Sequence, residues 1–295
     1  MRMLIGLGFC LPLAFATPAE QPTRPLVILV HGRGHVGADT AWLRREWKRD
    51  LDSSLTLVGL PRLRDEDVRL AWYADILDPE SDPRCTKATT ETRTGDVAPF
   101  MRGLLGALAS LVPADEAPEA RALLGDVLYV MDHPTRCAAQ ERVGKAIEAA
   151  MRDKRPVVVV AYSLGAIVTY EFLKGYVARD GDPGVSLVTI GSPLGNREIR
   201  ELLGARDSLS VPSIVRVWEN VYDPDDAFAA PLNEEGRPTR AIRDRVTERR
   251  AGAEAHHIAR YLRDAATGEA VGRALCESAS NLSDSCRRLV LLKAG

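Results

Sequence analysis

"VVVVAYSLGAIVTYEFLKG", residues 157–175, decides the fold. Residues 157–161 have the length and β-branched density of a strand buried on both faces, as in a parallel sheet covered by helices. From Leu164 the period changes. Leu164, Val168 and Phe172, with Ile167 and Tyr170 beside them, recur at helical spacing, and Gly175 is a stop signal. Ser163 therefore falls on the short turn between a buried strand and a helix. So sharp a turn leaves little room for side chains, and Ala161 and Gly165 supply it. The order small-x-Ser-x-Gly between strand and helix is a nucleophile elbow, here with Ala161 in place of the usual glycine. It would lift a hydroxyl to the carboxyl edge of the sheet and aim the Leu164 N–H at the same point. Serine is also a preferred helix N-cap. The stretch alone leaves both readings open, and partners elsewhere in the chain must separate them.

The chain has 295 residues, 45% hydrophobic and 27% charged, with formal net charge -2, the balance of a globular protein with no excess of positive charge for nucleic acid. Its Arg-rich stretch "RPTRAIRDRVTERR" (237–250) is broken by Asp244 and Glu248, which makes it a solvated face and not a phosphate track. The opening "MRMLIGLGFCLPLAFATPAE" (1–20) carries one Arg, a short apolar run and Ala14-Phe15-Ala16, and reads as a secretory signal peptide cleaved after Ala16. Phe9 directly before Cys10 argues against lipid attachment, so a periplasmic or secreted chain with no stable membrane span after cleavage is expected. Removal of Cys10 leaves Cys85, Cys137, Cys276 and Cys286, an even number for an oxidising compartment. Of three possible pairings, Cys85 with Cys137 and Cys276 with Cys286 is preferred. The first would staple a long insertion and the second would close a short C-terminal loop.

Beyond the linker "TPAEQPTRP" (17–25), "LVILVHGRGH" (26–35) reads as a buried strand ending in a Gly-rich turn, and 40–51 as a helix with Trp42, Leu43 and Trp47 on one side. "SLTLVGL" (54–60) and "VRLAWYADIL" (68–77) read as short strands, and 78–98 as a surface loop. Helical patterns cover roughly 99–112, 118–131 and 138–152. After the elbow come strands at "VSLVTI" (185–190), "SIVRVWEN" (213–220) and near "DRVTE" (244–248). This alternation predicts the α/β class, a mainly parallel sheet covered by helices on both faces. With no linker to split it, 17–295 is expected to form one domain, with a cap-like insertion at about 78–135.

The turn after the first strand has two readings. "GRGHVG" (32–37) matches the dinucleotide fingerprint G-x-G-x-x-G, but Asp50 and Asp52 come before the expected next strand, so the ribose ligand is missing. With His31, the same turn reads as an oxyanion-hole loop, Arg33 N–H being one donor and Leu164 N–H the other, and His31 itself structural. A nucleophilic serine needs a base and the base an orienter. Of the five histidines only His256 and His257 follow Ser163, and they lie in "GAEAHHIARYL" (252–262). The acid should follow the strand "SIVRVWEN", where "VYDPDDAFA" (221–229) offers Asp223, Asp225 and Asp226. Asp223 begins an Asp-Pro turn, which leaves Asp226 preferred and Asp223 the alternate. A calcium loop is disfavoured because the glycine and distal glutamate of an EF-hand are missing.

Taken together, "VILVHGRG" (27–34), "VVVVAYSLGAIV" (157–168), "TIGSPLG" (189–195), "WENVYDPDDAF" (218–228) and "HHIARYL" (256–262) resemble the α/β-hydrolase superfamily, in particular bacterial lipase- and esterase-like serine hydrolases with an A-x-S-x-G elbow. The resemblance runs in order from about residue 26 to 262, with long unmatched insertions. It implies Ser163 as nucleophile, Asp226 as acid and His256 as base, with His257 the alternate, and no cofactor or metal. His256 is preferred because relatives tend to place a helix bearing Tyr-Leu, here Tyr261-Leu262, shortly after the histidine. A small-molecule or lipid ester is the implied substrate. Ala161 for glycine, and Tyr162 where many relatives have histidine, leave the substrate class open. The competing expectation is a catalytically inactive binding protein of the same fold.

Overall fold

The computed structural model describes residues 24–78, 81, 85, 129–130, 133–202, 209–233, 241–248, 255–278 and 286. The expected signal peptide at 1–16, the helices expected at 99–112 and 118–131 (save 129 and 130), and most of the cap-like insertion lie outside them.

Six parallel strands form one sheet: β1 (Leu26–Val30), β2 (Val68–Ala71), β3 (Val157–Tyr162), β4 (Val185–Ile190), β5 (Val215–Tyr222) and β6 (Ile242–Val246), in the order β2-β1-β3-β4-β5-β6. Among the described residues the helices are α1 (Thr40–Leu57), α2 (His133–Arg152), α3 (Leu164–Gly175), α4 (Arg197–Leu202), α5 (Ile258–Arg263) and α6 (Ala265–Ser278). The chain winds from β1 to β2, then returns to the other side of β1 for β3 and steps onward. The boundary between β1 and β3 is thus the point where winding reverses, and there the carboxyl ends of neighbouring strands leave a crevice.

β1, β3 and β4 are buried along their whole length, which is why they read as continuous apolar runs. Alternate residues feed two separate cores, one on each face of the sheet. Ile28, Val159 and Leu187 pack with Val143 and Ile147 of α2 and Val168 and Leu173 of α3. Val27, Leu29, Val158 and Val160 pack with Leu51 and Leu55 of α1 and Val271 and Ala274 of α6. Each such side chain removed from water stabilises the fold by about 1.5–3 kcal/mol. α1 and α6 meet closely: a Cβ on Gly268 would lie 2.2 Å from the Ser54 carbonyl oxygen.

Several sequence expectations are corrected. "SLTLVGL" is no strand; α1 runs to Leu57, because Leu43, Trp47, Leu51 and Leu55 extend one buried stripe at four-residue spacing. The helix stops at Gly59, whose φ of +76° permits the closing turn: Leu60 N–H donates to Leu55 O and Gly59 N–H to Thr56 O, a Schellman motif. "VRLAWYADIL" is a strand only over β2, and residues 74–77 form a 3₁₀ turn. There the chain leaves the sheet as the Tyr73 N–H turns to His31 Nε2 at 3.0 Å. Expected strand ends shift by two residues at β5 and β6, and the helix expected from 138 starts at His133.

Both expected cysteine pairs are at bonding distance, with Cα–Cα separations of 5.4 Å for Cys85–Cys137 and 5.3 Å for Cys276–Cys286. No described helix is long and apolar enough to cross a membrane.

Candidate active site

Ser163 follows the last residue of β3 directly, and its backbone sits at φ 53°, ψ -125°, a conformation that non-glycine residues rarely adopt and that costs of order 1–3 kcal/mol. Its N–H donates to the Ile190 carbonyl of β4 at 3.1 Å, which ties the turn to the sheet. The hydroxyl makes no capping bond to α3. It lies 3.0 Å from His256 Nε2 instead, so the N-cap reading of this serine is set aside.

Close approach explains the small residues around it. A Cβ on Gly165 would stand 2.3 Å from the His31 carbonyl oxygen at the end of β1, and one on Gly32 would stand 3.0 Å from Ser163 Cβ. The turn after β1 therefore lies against the elbow, as the register Val30↔Ala161 requires. Leu164 opens α3, where a backbone N–H has no partner within the helix. Arg33 follows Gly32, and its guanidinium lies over the Phe228 ring, 5.4 Å from the centroid.

His31 holds this loop. Its Nδ1 lies 2.6 Å from the Gly32 carbonyl, which can only accept, while Nε2 accepts the Tyr73 N–H; the proton is therefore on Nδ1 and the ring is neutral. The ring stacks on Tyr73 with centroids 4.1 Å apart, and the Tyr73 hydroxyl donates to the His31 carbonyl at 2.7 Å. Burial drives its pKa down to about 3 against the opposing Gly32 hydrogen bond, so charging this histidine is strongly resisted. The dinucleotide reading of "GRGHVG" fails on the next helix: Asp39 caps α1, accepting from Ala41 N and Trp42 N, and so puts a carboxylate where a phosphate would have to sit.

The acid turn follows β5. Asp226 is buried, and its Oδ2 lies 2.7 Å from His256 Nδ1. Its Oδ1 accepts the Phe228 N–H at 2.9 Å. Burial would raise its pKa, but the His256 contact and the Tyr261 and Phe228 hydrogen bonds outweigh that and hold the carboxyl below its ordinary value, so it is ionised. An ionised Asp226 places the proton on Nδ1 and leaves Nε2 with its lone pair toward the Ser163 hydroxyl, the tautomer a base requires. Asp223 stabilises the turn instead, its Oδ1 accepting the Asp225 N–H at 2.9 Å in an Asx turn. Asp225 and His257 are exposed, and His257 occupies the N-cap position of α5.

The turn itself is fastened from behind. Asn196 Nδ2 donates to the Phe228 carbonyl and Asn220 Nδ2 to the Ala230 carbonyl, each at 3.2 Å. Asp244 on β6 takes Asn220 Nδ2 at 2.7 Å and the Leu232 and Asn233 N–H groups at 2.9 Å. Two tyrosines complete the site. Tyr162 donates to the His256 carbonyl, and Tyr261 donates to Asp226 Oδ2 at 2.7 Å. Sequence reading gave neither a role, because a tyrosine at a buried strand end, like Tyr162, or in an apolar helix face, like Tyr261, looks the same whether its hydroxyl is used or not. A cleft of about 460 Å³ lined in part by Val36, Gly37, Trp72, Asp75 and Asp78 does not have Ser163 in its lining among the described residues.

The structure thus joins Ser163, His256 and Asp226 in one hydrogen-bonded chain at the switch point of the sheet, with Arg33 and Leu164 on the turns beside it. Comparison with protein-family models and with curated proteins finds no match, so the reading of this site rests on its own geometry.

Proposed function

We propose that the protein is a serine hydrolase of the α/β-hydrolase type that cleaves carboxylic esters through an acyl-enzyme. The observation that carries this reading is the relay Ser163 Oγ–His256 Nε2 at 3.0 Å and His256 Nδ1–Asp226 Oδ2 at 2.7 Å, set on a backbone with φ 53° at the serine. Neutral His256 takes the Ser163 proton as Oγ bonds to the ester carbonyl carbon, and the carbonyl oxygen gathers negative charge toward the N–H groups of Arg33 and Leu164. The C–O bond to the alcohol then breaks, the alcohol leaves with the proton held on His256, and the acyl group stays on Ser163. Water, deprotonated by the same imidazole, releases the acid and restores the hydroxyl. Asp226 fixes the imidazole tautomer and stabilises its cation. The scheme needs no cofactor.

A small-molecule or lipid ester is the proposed substrate, and nucleic acid is not. The two cysteine pairs support export to the periplasm or medium, since disulfides persist in oxidising compartments. The test is the intact mass of residues 17–295 after exposure to a fluorophosphonate, with Ser163→Ala alongside. One adduct on the parent protein and none on the variant is the expected result. Labelling of neither would leave a binding protein of the same fold as the better reading.

A further inference from the structure

Asp226 Oδ2 serves two donors, His256 Nδ1–H and the Tyr261 hydroxyl, both at 2.7 Å. The phenol has one proton, and its direction is set. Asp223 N–H donates to the same hydroxyl oxygen at 3.0 Å, so the proton of Tyr261 is left to point at Asp226. Tyr261 is 2% exposed, and its ring stands against Gly191, where a Cβ would come within 3.0 Å of Cε2. Gly191 has φ +55° and directly follows β4, so the tyrosine is seated on the same sheet edge that carries Ser163. Burial first, and the Asp226 charge second, keep this phenol neutral, a permanent donor.

We infer that Tyr261 is a positioning residue of the relay, which holds Asp226 Oδ2 in line with His256 and draws part of its charge, setting how strongly Asp226 supports the charged imidazole. This rests on the serine-hydrolase reading above. A second hydrogen bond to one carboxylate oxygen weakens that oxygen's pull on the imidazolium, so its loss should make His256 hold a proton more tightly. Among the described residues, the other titratable and charged groups near Asp226 include Tyr162 at the end of β3, which feels the Asp226 and Arg33 charges, Arg33 over the Phe228 ring of the same turn, and Asp223 in the turn after β5. Removing the Tyr261 hydroxyl also takes the acceptor from the Asp223 N–H, a loss that is the same with and without the Asp226 carboxylate and so cancels in the double-variant comparison.

The experiment compares the parent protein, Tyr261→Phe, Asp226→Asn and the double variant on a small activated ester across pH, with thermal melting to check folding. Tyr261→Phe should lower kcat roughly 3- to 30-fold at nearly unchanged KM, part of the worth of a hydrogen bond to a charged group. The acid-side midpoint of its rate profile should move up. In the Asp226→Asn background the same change should cost less than about twofold, since it acts through the carboxylate. Tyr261→3-fluorotyrosine, a stronger donor that keeps the ring, should move the midpoint down. A parental rate and midpoint in Tyr261→Phe, or an equal loss with and without Asp226, would overturn the inference. Should Tyr261→Phe not fold, an unmoved midpoint in the fluorinated protein overturns it. An active parent with an indifferent Tyr261 leaves the hydrolase reading standing; a parent that neither labels nor turns over removes both.

Discussion

Gly165 approaches the His31 carbonyl so closely that a Cβ would lie 2.3 Å from its oxygen. The elbow at the end of β3 and the loop at the end of β1 are therefore in backbone contact, with no space for a methyl group between them. Gly165→Ala must push α3 off β1, an overpacking that costs roughly 1–3 kcal/mol and moves Ser163 relative to its partners. The expected outcome is a lower melting temperature and ester turnover down at least about 100-fold. Gly175→Ala, at the other end of α3 with nothing within 4 Å of the added Cβ, is the control and should leave both nearly unchanged.

The two aspartates of the acid turn should part company. Asp226→Asn removes the charge opposite His256 Nδ1 and lets the wrong tautomer form, and should lower kcat by roughly 10³–10⁴. Asp223→Asn keeps an oxygen to accept the Asp225 N–H and should cost less than about 10-fold. A steady-state comparison of the two variants on one ester checks this, and a larger loss at Asp223 would transfer the acid role to it.

His31 makes stability depend on pH. Its pKa falls from 6.5 to about 3 on folding, so between these values the unfolded chain binds a proton that the folded chain refuses. Stability is fully present above pH 6.5 and is lost as pH falls toward 3, by roughly 3 kcal/mol at pH 4. Asp226 acts in the same direction but lower. Its folded pKa lies below the ordinary 3.8, so its contribution is present above that value and lost as pH falls through the folded pKa. Burial also lowers the pKa of His35 from 6.5 to about 4, so it adds to the fall over the same range. Urea midpoints between pH 7 and 4 should therefore fall more steeply in the parent than in His31→Asn, the difference being the His31 share.

Cys276 is buried in α6, which packs on α1, and its partner Cys286 lies 10 residues on. Closing so short a loop contributes about 2.7 kcal/mol by chain entropy. Cys276→Ser with Cys286→Ser, measured by urea unfolding, should lose roughly that amount. The longer Cys85–Cys137 loop, 52 residues, should be worth about 4 kcal/mol in the same experiment.

Most of the sheet was legible because β1, β3 and β4 are buried on both faces and so are written as unbroken apolar runs. The misreading at 54–60 has the opposite cause. "SLTLV" has β-branched and leucine residues that suit a short strand, and only the packing of Leu55 with α6 shows that the stripe read as a helix from Leu43 to Leu51 continues through it. Ser163 was nameable because the elbow needs small neighbours, and that need is local. The choice among Asp223, Asp225 and Asp226, and between His256 and His257, was not local, since adjacent residues of one turn face different ways.

What the sequence determined alone was the α/β class, the parallel sheet and the placing of a serine on a strand-to-helix turn, because burial period and steric room are properties of neighbours in the chain. Only the tertiary structure decided which groups meet there. Residues 93 positions apart, Ser163 and His256, come within 3.0 Å because β3 and β6 run parallel in one sheet, so the turn after β3 and the segment after β6 leave it at the same edge, where β5 also delivers Asp226. Whether the hydroxyls of Tyr162 and Tyr261 are used depends on which acceptors fall within reach, and chain folding sets that distance.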